Sequence, residues 1–478
     1  MDATGQMQQS NGSGKAEQST ANGRSTSSAN IDSAVSDLKI CIIGAGMGGL
    51  TTALALAEAG FHNIEVYEYA SDLGFVGAGI QMAPNMARIL DRLGVWKEIA
   101  RDAVVLNETS IREGATDEEL ANVDLRYIEQ QYGYEHMVGH RSTLARALYD
   151  GCKRYSAIKF NFGVQCEDID LVSEHPSFKA VPRKDPNQQP RTVSCDILLG
   201  ADGIKSNTRA ALLKHVGADA QIVDTHQAAY RIMLSREQMA SDPELLKLID
   251  SDLVIRWIGE KRHIIAYPVE NKTIYNLSTT QPDTNFAAAP SATYTTKGSK
   301  KAMLEVFGDY CPMIQRMLDL VPEGEVCEWK LRVHEPLPTW YVNSTALVGD
   351  ACHPTLPHLA AGAAQAIEDA AVLGVVLAKI PDGSPSSIKK AFRIYEMVRK
   401  DRAETLVAMA AASGKSLHLG SSAAKEERDK AFAALKAGGK GPVPDKWADA
   451  DVQKMHYGLD IVKVAEEVFE KEFNNSKS

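Results

Sequence analysis

The seven cysteines (Cys41, Cys152, Cys166, Cys195, Cys311, Cys327, Cys352) contain no C-x-x-C pair. Their odd number and scattered positions speak against a disulfide framework and a thiolate zinc cluster, and suit free thiols in a reducing compartment. An excess of positive charge is also missing: 52 Lys and Arg stand against 62 Asp and Glu, a formal charge of −10. That balance offers no electrostatic attraction to nucleic acid or anionic lipid. Residues 1 to 36 hold no aromatic residue and no apolar leader. They are therefore not a secretory signal, and they cannot bury enough surface to offset the entropy of ordering. A disordered tail is expected there. The acids Asp2, Glu17, Asp32 and Asp37 argue against a transit peptide, so a cytoplasmic location is expected. There is no internal repeat. What remains is an ordinary globular composition, 44% hydrophobic and 24% charged over 478 residues, enough for two or three domains.

The organising stretch is Ile40 to Ala57, ICIIGAGMGGLTTALALA. Ile40 to Ile43 is an apolar β-branched run of the kind that makes a buried parallel strand. Gly44-Ala45-Gly46-Met47-Gly48-Gly49 follows, and strong helix formers continue from Leu50. Strand, G-x-G-x-x-G and helix in that order make a dinucleotide fingerprint. Gly44 allows the tight turn, Gly46 lets backbone approach a pyrophosphate, and Gly49 lets helix pack close to strand. The free N–H groups at the helix start and the helix dipole favour the pyrophosphate's charge. A second strand, Ile64 to Tyr67, ends at Glu68, placed to accept hydrogen bonds from a ribose. Eighteen uncharged residues are long enough to propose a membrane helix. The four glycines, the amphipathic helix after them and the acid in register argue against that reading.

Further along, Gly77 to Asn85 is a glycine-rich loop closing into Pro-Asn, followed by a helix from Met86 to Leu93 with Gly94 as its cap. Arg141 opens an amphipathic helix, and residues 160 to 190 alternate as strands with a hairpin. A second apolar strand runs into Gly200-Ala201-Asp202-Gly203. Alternating strands at Val254–Ile258, His263–Tyr267 and Ile274–Leu277 suggest an antiparallel sheet facing a ligand, before a polar loop over 281–300. The third landmark is a strand ending in Gly349-Asp350, a proline-studded loop, and a helix starting near Gly362. Asp350 leaves a strand end, well placed for a ribityl or ribose hydroxyl. Helical sequence follows over Ser387–Ala412, then a Lys/Gly-rich loop over 415–446 with Gly-Gly-Lys-Gly-Pro, and an amphipathic helix over Leu459–Phe473. Asp350, His353 and His358 lack the spacing of a metal site, and no metal is expected. His353, between Cys352 and Pro354, reads as a residue that shapes its loop.

G-x-G-x-x-G, then Asp-Gly in GADGIKSNTR, then Gly-Asp in GDACHPTLPHLAAGAAQAIEDA resemble the class A flavoprotein monooxygenases of the p-hydroxybenzoate hydroxylase fold. The salicylate-hydroxylase-like fungal aromatic hydroxylases are nearest in pattern. The resemblance covers roughly residues 38 to 410. It implies an α/β fold: a Rossmann-like FAD-binding domain with an interleaved substrate domain on a mostly antiparallel sheet, plus C-terminal helices. The expected division is a tail (1–36), FAD-binding parts (37–225 and 326–412), a substrate sheet (226–325) and a loop with a terminal helix (413–478).

By position, the resemblance implies that Gly44, Gly46 and Gly49 hold the FAD pyrophosphate and Glu68 the adenosine ribose. Ala78 and Gly79 would line the adenine-side loop, and Arg141 the diphosphate and ribityl region. Asp202 and Gly203 would serve FAD and a transient NADH or NADPH. Asp350 would bind the ribityl chain, and Gly362 and Ala363 would offer N–H groups to the flavin ring. Many relatives read Ala-Gln-Gly where this chain has Ala360-Ala361-Gly362, so any side-chain role at 361 is absent. Arg231 and Tyr267 match an arginine and a tyrosine in the substrate sheet of related fungal enzymes. Arg231 could hold a phenolate, and Tyr267 could fix the substrate oxygen and pass a proton. The implied activity is hydroxylation of an electron-rich aromatic (a phenolic polyketide, a salicylate-like ring or an indole) with O2. Epoxidation or decarboxylating hydroxylation on the same fold is the rival. An NAD-dependent dehydrogenase would leave Asp202-Gly203 and Gly349-Asp350 unexplained. No oligomeric state is assigned.

Overall fold

The computed structural model describes residues 31–74, 78–183, 189–220, 222–284, 295–437 and 443–475. Residues 1–30 of the expected tail, Gly77, residues 285–294 of the expected 281–300 loop and the Gly-Gly-Lys-Gly-Pro run lie outside the described residues; the described ends of that loop are strand instead, in Ile274–Pro282 and Thr295–Lys297. The tail is shorter than 36 residues: Ser33–Ser36 is a helical turn capped by Asp32, with Val35 fully buried. An apolar residue beside the first strand packs where the polar stretch ends.

Lys39–Ile43 lies inside a six-stranded sheet, paired in parallel with Asn63–Glu68 on one side and Ile197–Gly200 on the other. Thr345–Leu347 and Ile158–Phe162 extend it in parallel, and Tyr341–Val342 closes one edge as a hairpin. The helices Met47–Glu58 and Gly362–Ala378 pack against each other beside this sheet. Both therefore begin at the carboxyl ends of its parallel strands, where α/β sheets bind ligands.

The second layer is an eight-stranded, mostly antiparallel sheet. Its strands alternate. Tyr230, Ile232, Leu234, Ile264, Ala266, Tyr275 and Leu277 point into a core beneath the helices Pro243–Asp250, Lys300–Val306 and Pro312–Asp319. The intervening Arg231, Ile265, Tyr267, Asn276 and Ser278 point the other way and line a cleft. Period-two side-chain alternation thus gives one sheet a packing face and a binding face.

The sheet does not keep to the expected 226–325 span. Cys327–His334 belongs to it, and so do Glu108–Glu113 and Glu119–Asp124, the former pairing in parallel with Leu253–Gly259. The expected loop at 415–446 also needs correction: the preceding helix runs Pro385–Leu417, and Ala423–Lys436 is a helix capped by Ser422. Its Ala, Glu, Lys and Leu are strong helix formers, whereas the glycines come after it. Ala450–Tyr457 and Ile461–Asn475 complete the C-terminal segment. Ile461, Ala465 and Phe469 of the last helix are buried in the main core, so its apolar stripe is spent on packing. No helix among the described residues is long and apolar enough to cross a membrane.

Candidate active site: a cleft between two helix starts and a sheet face

A cleft of about 410 Å³ runs between the two layers. One end is the glycine turn. Gly44 has φ +104°, and a Cβ there would lie 2.3 Å from the Ala201 carbonyl oxygen. A Cβ on Gly49 would lie 1.9 Å from the Gly44 carbonyl oxygen. These two glycines serve the turn and the helix–strand approach and do not face the cleft. Gly46 does face it, and nothing stands within 4 Å of where its Cβ would be. The helix behind it has no side-chain cap, so its first N–H groups are left for a ligand.

Glu68 reaches the same turn. Its carboxylate accepts the Ala45 N–H at 2.7 Å and the Ala70 N–H at 2.8 Å, and each oxygen keeps a lone pair. Asp202 is committed elsewhere: its carboxylate accepts from the Ser206 hydroxyl (2.5 Å) and the Thr208 N–H (3.0 Å), fixing the start of the next helix. Of that pair only Gly203 lines the cleft.

The other end is the start of the Gly362–Ala378 helix, again without a side-chain cap. Ala360 just before it has φ +51°, a left-handed conformation that costs an alanine about 1–2 kcal/mol. Gly362 and Ala363 after that turn line the cleft. The helix is anchored from behind by a buried ion network. Arg399 donates to Asp369 (2.8 Å), Glu368 (2.6 Å) and the Gln365 side chain (2.6 Å), and all four are buried. Asp369 also accepts the Gly349 N–H at 2.9 Å and pairs with His353 at 2.6 Å. Burial alone would discharge His353; the Asp369 carboxylate outweighs it and holds the imidazole protonated. Asp369 thus ties the Gly349-Asp350 turn to the helix, and His353 shapes the loop as its sequence position suggests. Removing one member of a buried pair leaves a bare charge and costs about 3–5 kcal/mol. Arg399→Met is expected to lower the melting temperature and the FAD content of purified protein together. An unchanged melting temperature would show that the network is not needed for stability.

Between these ends stand Ala78, Gly79, Arg141 and Asp350. Arg141 is reachable through the cleft, yet surrounding protein lowers its pKa, with partial compensation from Asp350. Gly79 N–H donates to Asn276 Oδ1 at 2.7 Å, and a Cβ on Gly79 would collide with Asn276 and Tyr267.

The sheet face supplies Arg231 and Tyr267. Burial first, then the neighbouring Arg141, lower the Arg231 pKa; Tyr267 and Cys327 partly offset this. Arg231 has no carboxylate partner among the described residues, and its guanidinium carbon sits 4.5 Å from the Trp329 ring centroid. Burial raises the Tyr267 pKa, with Arg231 opposing, so its hydroxyl keeps its proton at neutral pH. Asn276 and Ser278 beside them are missing from the sequence reading, although polar residues at alternate positions of an apolar strand were their visible signal. The Asn276 amide nitrogen is buried without a partner among the described residues.

The residues present fit FAD. Two uncapped helix starts, an open place over Gly46 and a cationic Arg141 suit a pyrophosphate, and Asp350 suits a ribityl hydroxyl. Gly46→Val is expected to leave the protein folded, because nothing among the described residues stands within 4 Å of a Cβ there, but to empty it of flavin. Absorbance of the bound flavin against circular dichroism checks this; full flavin content in a folded variant would place the pyrophosphate elsewhere.

Comparison with known proteins agrees. A family described as FAD binding domain matches residues 37–410. The FAD-dependent monooxygenase atnJ of an Arthrinium species is 30% identical over 433 residues, 90% of this chain and 95% of that one. The 3-hydroxybenzoate 6-hydroxylase 1 of Aquipseudomonas alcaligenes is 32% identical over 368 residues, 77% of this chain and 86% of the relative. A solved salicylate hydroxylase substrate complex shares the fold, with a TM-score of 0.72 at 22% identity, over 91% of this chain and 98% of that one. By the family match and these identities, the chain belongs to the class A FAD-dependent monooxygenases, the flavin hydroxylases.

Proposed function

We propose that the substrate is an electron-rich aromatic carrying an ionisable oxygen, a phenol in its phenolate form, hydroxylated at the sheet face of the cleft. The observation that carries this is Arg231: a largely buried guanidinium in the cleft with no acid beside it among the described residues. An uncompensated buried cation is costly unless its partner is a ligand, and Arg is suited to a ring oxygen or carboxylate. When bound, FAD accepts hydride from a nicotinamide and activates O2.

The protein's own residues do the rest. Arg231 draws the substrate oxygen into its ionised form and enriches the ring in electrons. Tyr267, protonated, donates to the same oxygen and can return a proton to it. Ile265 and Pro357 give the ring apolar contact, and cleft walls of this kind keep water from the reacting centre. Gly44, Gly46 and Gly49 shape the pyrophosphate turn, Glu68 takes the ribose, and Arg141, Asp350, Gly362 and Ala363 hold the rest of FAD. Gly203, with Asp202 fixing its turn, meets the transient NADH or NADPH. The relatives include atnJ, a fungal monooxygenase, and 3-hydroxybenzoate and salicylate hydroxylases, whose named substrates carry a ring hydroxyl. That supports a phenolic substrate, and the fungal relatives support a place in secondary metabolism. The free cysteines, six of seven buried, support a cytoplasmic location.

The test is oxidation of NADH and of NADPH by the FAD-loaded protein in air, across phenols, salicylates, indoles and alkenes. Stimulation by phenols or salicylates with a hydroxylated product is expected. Stimulation confined to alkenes would replace this reading with epoxidation, and carbon dioxide release from salicylates would establish decarboxylating hydroxylation.

A further inference from the structure

We infer that Trp329 is a positioning residue for the reaction: its indole face carries the Arg231 guanidinium in the place an acid would normally take. This rests on the reading of Arg231 as the group that meets the substrate oxygen. Arg231 lies on the strand Ile222–Ser235, flanked across the sheet by Ser278 on one side and Cys327 on the other. Trp329 is paired with Ala229, two residues away on the same face, which makes it the diagonal neighbour of Arg231. Diagonal pairs lie within reach of aromatic and long side chains. The guanidinium accordingly sits over the ring at 4.5 Å. Among the described residues the buried indole nitrogen has no hydrogen-bond partner, so the tryptophan engages through its face and not its edge.

The choice of an aromatic holder has a chemical consequence. A carboxylate beside Arg231 would occupy two of its N–H donors and cancel its field at the cleft. An aromatic face attracts the cation through its quadrupole, consumes no donor and adds no net charge. The guanidinium is fixed in place while its charge remains available to an anionic ligand. The neighbouring Arg141, which pushes against Arg231 electrostatically, makes such a holder more necessary.

The experiment uses full-length, FAD-loaded protein with benzoate and benzamide, an anion and its neutral counterpart, each titrated by perturbation of the flavin spectrum. Wild type is expected to prefer benzoate. Trp329→Leu is expected to weaken benzoate about tenfold and leave benzamide within about twofold, since cation–π contacts are worth roughly that factor when partly desolvated. Trp329→Phe, which keeps a π-face, is expected to restore most of the loss. Equal weakening of both ligands, or none of either, overturns the assignment, because a purely structural role does not sort ligands by charge. Arg231→Met separates the two levels of the argument. If it abolishes the benzoate preference while Trp329→Leu does not, only the role of Trp329 fails. If wild type shows no preference, or Arg231→Met keeps it, the reading of Arg231 itself fails.

Discussion

Arg231→Met is expected to lower kcat/KM for the stimulating phenol by about a hundredfold to a thousandfold, the usual loss when a preorganised electrostatic donor is removed from a reacting centre. Flavin content should not change, because Arg231 stands on the sheet face of the cleft, away from the two helix starts proposed to hold the pyrophosphate and flavin ring. Arg231→Lys should recover only part of the loss: it keeps the charge but not the planar fork, and an ammonium stacks poorly on Trp329. The loss should also depend on pH. As the free phenol ionises in solution, the variant gains on wild type, since the arginine's work of ionising the oxygen is then already done. A variant within about threefold of wild type at all pH values would remove Arg231 from the mechanism.

The second large effect is on stability below pH 6.5. Among the described residues six buried histidines are held toward the neutral form: His334, lowered by burial and by Arg209, and five more. Burial lowers His136 and His358 to about 3 and His418 and His456 to about 4, and moves His263 well below its usual 6.5. Neighbouring charges add to the effect: His263 Nδ1 is 2.6 Å from His418 Nε2, and Arg256 stands beside this cluster, itself paired with Asp445 at 2.9 Å. His136 packs edge-on to Trp447 and against Tyr457, with His456 next in sequence. The sign follows from proton counts. Between about pH 4 and 6.5 the unfolded chain binds protons at these sites and the folded chain does not, so stability falls as pH falls. Each group contributes up to about 1.4 kcal/mol per pH unit over that window. Carboxylates such as Glu368, lowered to about 2 although burial opposes this, because Arg402 and Arg399 stabilise its charge, act only further down. His353, held protonated, does not oppose the trend there. The melting temperature should therefore drop steeply between pH 6.5 and 4.5, and the slope should flatten in a His136→Gln, His418→Gln double variant. An unchanged slope in that variant would assign the acid sensitivity to other groups.

Local sequence carried much of this molecule. Gly44 and Gly49 could be read because a turn and a helix contact are both decided within six residues, and Gly46 between them stands open to the cleft. Arg141, Asp350 and Gly362 were legible as cleft residues because each sits where a regular element begins or ends. What escaped was set by distant partners. Nothing in the residues 108–124 says that they pair beside Leu253–Gly259, since that pairing is made across the fold. Asp202 reads as a ligand residue in its motif, yet its carboxylate is spent on the Ser206 and Thr208 turn. Arg399 is one arginine on a long helix until the Gly362–Ala378 helix is packed against it, 30 residues away from Asp369 in sequence. The helix at 423–436 was hidden by composition: lysines and nearby glycines outweighed a run of good helix formers.

The route of the chain through the eight-stranded sheet has a consequence for how the enzyme comes into being. The strands arrive from residues 108–124, 222–282, 295–297 and 327–334, with strands and helices of the other layer before and after them. No single cut releases the substrate platform, because the stretch that holds all its strands, residues 108–334, also carries strands and helices of the other layer between them. Its parallel seam at Glu108–Glu113 must wait for a partner made more than a hundred residues later, which costs loop-closure entropy before any contact repays it. Assembly should accordingly be slow and cooperative, with protease nicks in surface loops leaving the two layers clamped together. Exchanging substrate specificity between relatives is then a matter of changing side chains on the binding face, because the platform is not a part that can be lifted out.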